Sequence, residues 1–344
     1  MTRARGIRLN IRLSILTLLS LVFSLVLCAP GFAEVVRSDN PREEGYEYLP
    51  DVPLSVWRDP ELKPRGIAIA VHGLVMHGRV YDVLATELAR DGYLVVAPDL
   101  RGYGRWLDMK EDGSGVKVSY DRSVEDLKGL VKALKHEYPE LPLFMVGESM
   151  GAGFSMRVAE AVPGMVDGLV LSSPAIKRRL YCEPEMVKDT ITMVVNPHKQ
   201  VDLVPYIKKF ASEDPDIVAE AVSDPYVRKH LCLVELMETA SYIRGNINHA
   251  PRVPARVPVL VMQGDCDRML RHNAVVLLLK KLKCKDQTVK WLPGKGHVLI
   301  ETAHIEPATL TTIKTWLDEH NTAQGVALSA RSSDGSLMST RMSF

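Results

Sequence analysis

Short apolar runs of strand length alternate with amphipathic helical stretches along most of this chain, and that rhythm narrows the fold more than any other feature. The runs are residues 67–71, 93–97, 143–146, 168–171, 259–262 and 288–292. All are short and, apart from Thr288 and Lys290 in the last, apolar, as a strand covered on both faces should be. Helices between such strands carry the chain back to the same edge, so the sheet is expected to be mainly parallel, with helices on both faces. The clearest of the intervening helices repeats Val124, Leu127, Val131 and Leu134 at helical spacing, with Asp121 or Ser123 as its candidate cap and Pro139 just past its end.

One connection breaks the rhythm. Residues 175–258 lie between two strands, and a compact domain does not hold a structureless loop of that length. Residues 215–222 have helical spacing and an acidic start, and residues 231–243 form a second amphipathic stretch that includes Met237. A helical cap over about residues 176–256 is therefore expected, inserted before the strand at 259–262 and roofing the carboxyl ends of the sheet. Residues 34–64 should hold a leading hairpin around 46–48 and 54–57. The Ser-rich stretch 321–344 has little apolar content and is expected to be a disordered tail, leaving 34–320 as the folded domain.

With 46% hydrophobic side chains in 344 residues, the chain can bury one large core with a smaller appended subdomain. Its formal charge of +1 conceals a local bias. Arg3, Arg5, Arg8 and Arg12 precede every acidic residue, and without them 39 basic residues face 42 acidic ones, which argues against a nucleic-acid partner. The apolar run 13–27 follows, and then Gly31 and Ala33 at the small positions a signal peptidase prefers. Residues 1–33 are therefore expected to be a signal peptide, making the protein exported, periplasmic or secreted. An N-terminal membrane anchor is the alternative, although the run is shorter than the roughly 20 residues a spanning helix needs. Cys28 could mimic a lipidated cysteine, but Leu27 before it is large for that processing site. Cys182, Cys232, Cys266 and Cys284 would remain, with Cys182–Cys232 and Cys266–Cys284 as the expected pairs and free buried thiols as the alternative.

The chemistry centres on Gly147-Glu148-Ser149-Met150-Gly151, a G-x-S-x-G sequence joining an apolar strand directly to a helix. A turn that tight thrusts its serine outward, and side chains at 147 and 151 would collide across it. A serine hydroxyl is a poor nucleophile near neutral pH and needs a histidine base, itself oriented by a carboxylate. His297 follows the last strand in Gly294-Lys295-Gly296-His297, and Asp267 follows the strand before it in Gln263-Gly264-Asp265-Cys266-Asp267. Asp265 is the rival acid, but Asp267 stands three positions past the glycine, where the turn after such a strand usually puts the acid. His72-Gly73-Leu74 follows the strand at 67–71, and the backbone N–H of Leu74 can join that of Met150 to form an oxyanion hole, with His72 bracing the loop. Neither His72 nor His77 has a carboxylate or thiol at a metal-binding spacing, so no metal is expected, and the chemistry calls for no cofactor.

Several motifs together resemble the monoacylglycerol lipase and lysophospholipase branch of the serine α/β-hydrolases, over about residues 66–317. His72-Gly73-x-x-x-His77 with Tyr81 is similar to that family's oxyanion loop, Asp99-x-Arg101-Gly102-Tyr103-Gly104 to its D-x-R-G-x-G turn, and Val146 through Gly151 to its nucleophile elbow. Ser212 through Pro215 and Asp224-Pro225 are similar to its cap. The resemblance implies an α/β-hydrolase fold with a mainly parallel eight-stranded sheet. It also implies Ser149, Asp267 and His297 as the triad and Leu74 and Met150 as oxyanion donors. Trp106 and Ala152 depart from the family's usual residues.

The function expected is hydrolysis of an acyl ester, such as a monoacylglycerol or lysophospholipid, through an acyl-enzyme on Ser149. An apolar cap would suit a lipid substrate and a transient contact with a membrane surface. The same triad serves acyl transfer to an alcohol, and a non-catalytic binding protein on this fold is a third reading. Peptide cleavage also occurs among related hydrolases, but the oxyanion loop here lacks the glycine-proline pattern of that branch.

Overall fold

In a computed structural model of the chain, residues 34–109, 117–177 and 196–321 are described. The expected signal peptide, the Cys182 pairing and nearly all of the expected tail lie outside them. Eight strands form one sheet: β1 (Val36–Ser38), β2 (Leu54–Arg58), β3 (Gly66–Val71), β4 (Tyr93–Pro98), β5 (Leu143–Glu148), β6 (Gly168–Ser172), β9 (Val259–Gly264) and β10 (Gln287–Leu292), in the order β1-β2-β4-β3-β5-β6-β9-β10. β1 and β2 run antiparallel, β2 lies antiparallel to β4, and the other neighbours are parallel. The six apolar runs of the sequence are the six parallel strands.

Side chains alternate across the sheet, so each inner strand serves two cores, whereas the edge strands β1 and β10 are largely exposed. Ile67, Ile69 and Val71 of β3 pack with Leu127, Leu130 and Val131 of α2 (Tyr120–Glu137) and Phe154 of α3 (Met150–Ala161). Ala68 and Ala70 face the opposite core with Leu84 and Leu88 of α1 (Asp82–Arg90) and Ile313 and Trp316 of α8 (Pro307–His320). That two-sided burial is why these strands lack a polar face, and each large apolar side chain buried this way contributes roughly 1.5–3 kcal/mol.

The long connection between β6 and β9 carries α4 (Val204–Phe210), α5 (Pro215–Ser223) and α6 (Leu233–Asn246), with a two-stranded ribbon of β7 (Val201–Asp202) and β8 (His230–Leu231). Asp214 caps α5 by accepting the Asp216 N–H, while Pro215 occupies the first turn, where no amide donor is needed. α7 (His272–Lys281) returns the chain from β9 to β10.

Three expectations need correction. The leading hairpin pairs β1 with β2, and residues 46–48 form turns because Tyr46 packs into the core from a loop. α2 begins after Ser119 with no side-chain cap; Ser123 instead donates to the Ser119 carbonyl and accepts the Arg101 N–H. Cys266 and Cys284 are both free thiols. β9 and β10 are parallel and six residues long, so Cys284, before β10, and Cys266, after β9, lie at opposite ends of the sheet. That separation is about 20 Å, against the roughly 7 Å a disulfide can span.

Candidate active site

The site is built where β5 meets α3. Ser149 has φ 55° and ψ −114°, a left-handed conformation that a non-glycine residue adopts only when its surroundings hold it. Here the next strand does so: Ser149 N–H donates to Ser172 O at 2.8 Å, and Ala175 N–H donates to Ser149 O at 3.0 Å. The flanking glycines are required by space. A Cβ on Gly147 would lie 2.5 Å from the Gly151 carbonyl carbon, and one on Gly151 would lie 1.8 Å from Val71 O.

His297 bridges the two partners the sequence assigns it. Its Nε2 lies 2.9 Å from Ser149 Oγ and its Nδ1 lies 2.9 Å from Asp267 Oδ2. Asp267 also accepts from Met269 N–H at 2.7 Å, Leu270 N–H at 3.0 Å and Gln263 Nε2 at 2.9 Å, so all its neighbours are donors. Burial alone would raise its pKa, but the His297 charge and these donors outweigh it and hold the carboxyl at about 2. With Asp267 ionised, Nδ1 carries the imidazole proton and the Nε2 lone pair faces the serine hydroxyl. Burial lowers the pKa of His297, but the charge and hydrogen bond of Asp267, followed by the charge of Glu148, raise it above its ordinary value. The rival Asp265 is exposed and accepts the Gly294 N–H at 2.6 Å, so it braces the loop that leads to His297 without touching the ring.

The loop after β3 is fixed by His72, which is fully buried. Its Nε2 accepts the Leu100 N–H at 2.9 Å, so the proton sits on Nδ1 and is donated to Gly73 O at 2.8 Å. Burial holds this ring neutral, with a pKa of about 4. A trans peptide is planar, so fixing the Gly73 carbonyl also fixes the Leu74 N–H, which points the opposite way. Gly73 packs against the nucleophile, since a Cβ there would lie 3.3 Å from Ser149 Cβ. Met150 is the first residue of α3, so its N–H has no acceptor within the helix. Asp99 of the D-x-R-G-x-G turn is structural: it accepts the Gly78 N–H at 2.7 Å and pairs with Arg105 at 2.7 Å, and Gly102 (φ 87°) and Gly104 (φ 55°) take left-handed conformations in that turn. Trp106 donates to Asp99 O, and Ala152 is buried in α3.

Several contacts of the site escaped sequence reasoning. Glu148 is fully buried and accepts Ser172 Oγ at 2.6 Å and the consecutive N–H groups of Leu299, Ile300 and Glu301 at 3.0–3.2 Å. It thereby holds the segment that carries His297. Its signal was a carboxylate ending an otherwise apolar strand. Glu301 accepts the Gly73 N–H at 2.5 Å, a contact spanning 228 positions that no local pattern announces. His77 is buried and pairs with Asp224 at 2.9 Å, tying the cap to the oxyanion loop. Val75, which follows Leu74 at φ 67°, accepts the Arg228 N–H of the cap at 2.8 Å. A groove of about 650 Å³ lined by Lys208, Glu213, Val218, Val222 and Arg268 lies on the cap side of the acid loop, and neither Ser149 nor His297 lines it.

Comparisons with known proteins agree with this geometry. Residues 62–302 match the family described as serine aminopeptidase, S33. A monoacylglycerol lipase of Mycolicibacterium smegmatis is 30% identical over 77% of this chain and 92% of its own length. A monoglyceride lipase of Rattus norvegicus is 29% identical over 78% of this chain and 87% of its own. Among solved structures, the monoacylglycerol lipase of Paleococcus ferrophilus superposes with a TM-score of 0.62 at 25% identity, covering 79% of this chain and all of that one.

Proposed function

Because the chain belongs to the serine aminopeptidase, S33, family and is a serine ester hydrolase of the monoacylglycerol lipase type, we propose that it cleaves fatty-acyl esters of glycerol-like alcohols through an acyl-enzyme on Ser149. The hydrogen-bonded chain from Ser149 Oγ through His297 to Asp267, with both links at 2.9 Å, is the observation that carries the reading. In this mechanism His297 Nε2 takes the serine proton as Oγ attacks the ester carbonyl. The carbonyl oxygen gains negative charge and is met by the N–H groups of Leu74 and Met150. His297 then returns the proton to the departing alcohol, leaving the acyl group on Ser149. A water molecule, deprotonated by the same nitrogen, attacks the acyl carbon and releases the acid, restoring the serine. Asp267 stabilises the imidazolium formed in each half.

The relatives named for monoacylglycerol or monoglyceride hydrolysis favour esters over the peptides that the family description mentions. Lysophospholipid-like esters with a single acyl chain belong to the same proposal. Export of the mature protein and transient contact of the cap with a lipid surface fit that substrate class; Met237 of α6 is 62% exposed, as a membrane-facing methionine would be. The test is hydrolysis of p-nitrophenyl esters from acetate to palmitate, alongside aminoacyl amides, by the wild type and Ser149→Ala. The variant should lose on the order of 10⁶ in turnover. Long-chain esters cleaved no faster than acetate would remove the lipid assignment, and faster amide cleavage would replace it.

A further inference from the structure

Beneath the nucleophile, two buried carboxyl groups join the three segments that converge on it: the elbow, the oxyanion loop and the stretch after His297. Glu148 and Glu301 are 0% and 4% exposed. One of them has an evident role, since every neighbour of Glu148 donates to it and it is the ionised acceptor of the pair. Glu301 is different. Its Oε1 lies 2.5 Å from Gly73 N and 3.0 Å from Tyr81 Oη. The Tyr81 oxygen in turn lies 2.9 Å from Val71 O and accepts the Glu148 N–H at 3.2 Å.

Counting protons across this cluster assigns the protonation state. The Tyr81 oxygen has close oxygen neighbours in Val71 O and Glu301 Oε1, and each contact needs a proton between the two oxygens. Tyr81 supplies one and a backbone carbonyl supplies none, so the other must belong to Glu301. A neutral carboxyl satisfies every contact: it donates to Tyr81, Tyr81 donates to Val71 O, and Gly73 N–H donates to Glu301. The electrostatics agree, because burial and the adjacent Glu148 charge both push Glu301 well above the ordinary carboxyl range.

We propose that Glu301 is a positioning residue of the oxyanion hole, a neutral carboxyl that holds the Gly73 amide and so sets, with His72 on the Gly73 carbonyl, where the Leu74 N–H points. Glu301 holds the His72–Gly73 peptide through the Gly73 N–H and His72 holds the Gly73–Leu74 peptide through the Gly73 carbonyl, so the two peptides that flank the Gly73 Cα are both fixed, and with them the direction of the Leu74 N–H. Without Glu301 the buried Gly73 N–H loses its acceptor, and rotation about the Gly73 backbone can redirect the Leu74 N–H. The effect belongs to the transition state, where the oxyanion charge is greatest, and therefore falls on kcat rather than KM.

The inference rests on Ser149 as the nucleophile, which the Ser149→Ala comparison tests separately. Glu301→Met fills nearly the same volume but accepts no hydrogen bond, whereas Glu301→Gln keeps an uncharged oxygen that accepts the Gly73 N–H, with the Tyr81 hydroxyl turned to donate to it. Removing an oxyanion donor outright costs about 10²–10³, so displacing one in Glu301→Met should lower kcat about 10- to 100-fold with KM within about twofold. Labelling of Ser149 by a fluorophosphonate, which also develops charge in that hole, should slow in parallel. Glu301→Gln should restore both to within about threefold of wild type. A folded Glu301→Met with wild-type kcat, a loss confined to KM, or a Glu301→Gln as impaired as Glu301→Met would each overturn the assignment. Should Glu301→Met not fold, Tyr81→Phe, which removes the hydroxyl that orients Glu301, decides the question: kcat must fall at constant KM, and an unchanged kcat overturns the proposal.

Discussion

The floor under the nucleophile and the cap over it are held by opposite means. In the floor, Glu148, Ser172, His72 and Tyr81 are completely buried, and their polar atoms are matched to backbone groups of the elbow, the oxyanion loop and the segment after His297. A buried polar group left without its partner costs about 1–3 kcal/mol, so this region tolerates one arrangement only. The outer helices of the cap bury little: α4 has no buried residue and α5 only Ile217 and Ala221, whereas α6 packs Tyr242 into the main core. This outer part is tied down by a few side chains at its margins: Glu220 to the N–H of Ala303 at 2.9 Å, Asp224 to His77 at 2.9 Å, and Arg228 to Gly102 O at 3.1 Å. A region matched group by group keeps its geometry, whereas one attached at its margins can change its lining without loss of the fold. The contrast predicts that reaction type is set in the floor and substrate choice in the cap.

The sharpest way to break that contrast is Asp267→Asn. If floor geometry sets the reaction, this nearly isosteric change should lower kcat about 10⁴-fold, because the imidazole loses the partner that fixes its tautomer. It also carries a pH signature. A base works when neutral, and Asp267 raises the pKa of His297, so the acid limb of the wild-type rate profile should lie above the ordinary histidine value near 6.5. Removing the carboxylate leaves burial, which lowers that pKa and is opposed only by the smaller effect of the Glu148 charge, so the residual activity of Asp267→Asn should persist to lower pH. A limb that stays in place would show that His297 is not the titrating base.

Next in size is Gly151→Ala, where one methyl group would sit 1.8 Å from Val71 O. The backbone must shift to admit it, and the loss should reach about 3 kcal/mol or more, seen as a collapse of the thermal transition or insoluble expression. A stable, active Gly151→Ala would mean that the floor is far more compliant than its packing indicates. The smallest effect is expected at the margin of the cap. Asp224→Ala leaves the buried Nε2–H of His77 without an acceptor and should cost about 1–3 kcal/mol of stability. Its kinetic effect should appear mainly as a higher KM for long-chain esters. A kcat loss as large as that of Asp267→Asn would erase the distinction between floor and cap.

Much of the fold was legible in the sequence because local rules act on short stretches. Two-sided burial makes an inner parallel strand apolar throughout, so β3, β4, β5, β6 and β9 announced themselves as short runs, while the exposed edge strand β10 showed only through Val289, Trp291 and Leu292, and the break in the alternation marked where the insertion lies. Ser149, Asp267 and His297 were also locatable, since each follows a strand in a glycine-bearing turn, where Gly147, Gly151 and Gly264 are demanded by close backbone approach and Gly294 takes a positive φ. What only the tertiary structure decided depends on contacts between distant segments. The β1 pairing, the separation of Cys266 from Cys284, the latch of Asp224 on His77 and the reach of Glu301 to Gly73 leave no periodicity in the chain. A strand or a turn is specified by neighbours a few residues away. A buried donor takes whichever acceptor the packed sheet brings within 3 Å, and that choice exists only once the chain has folded.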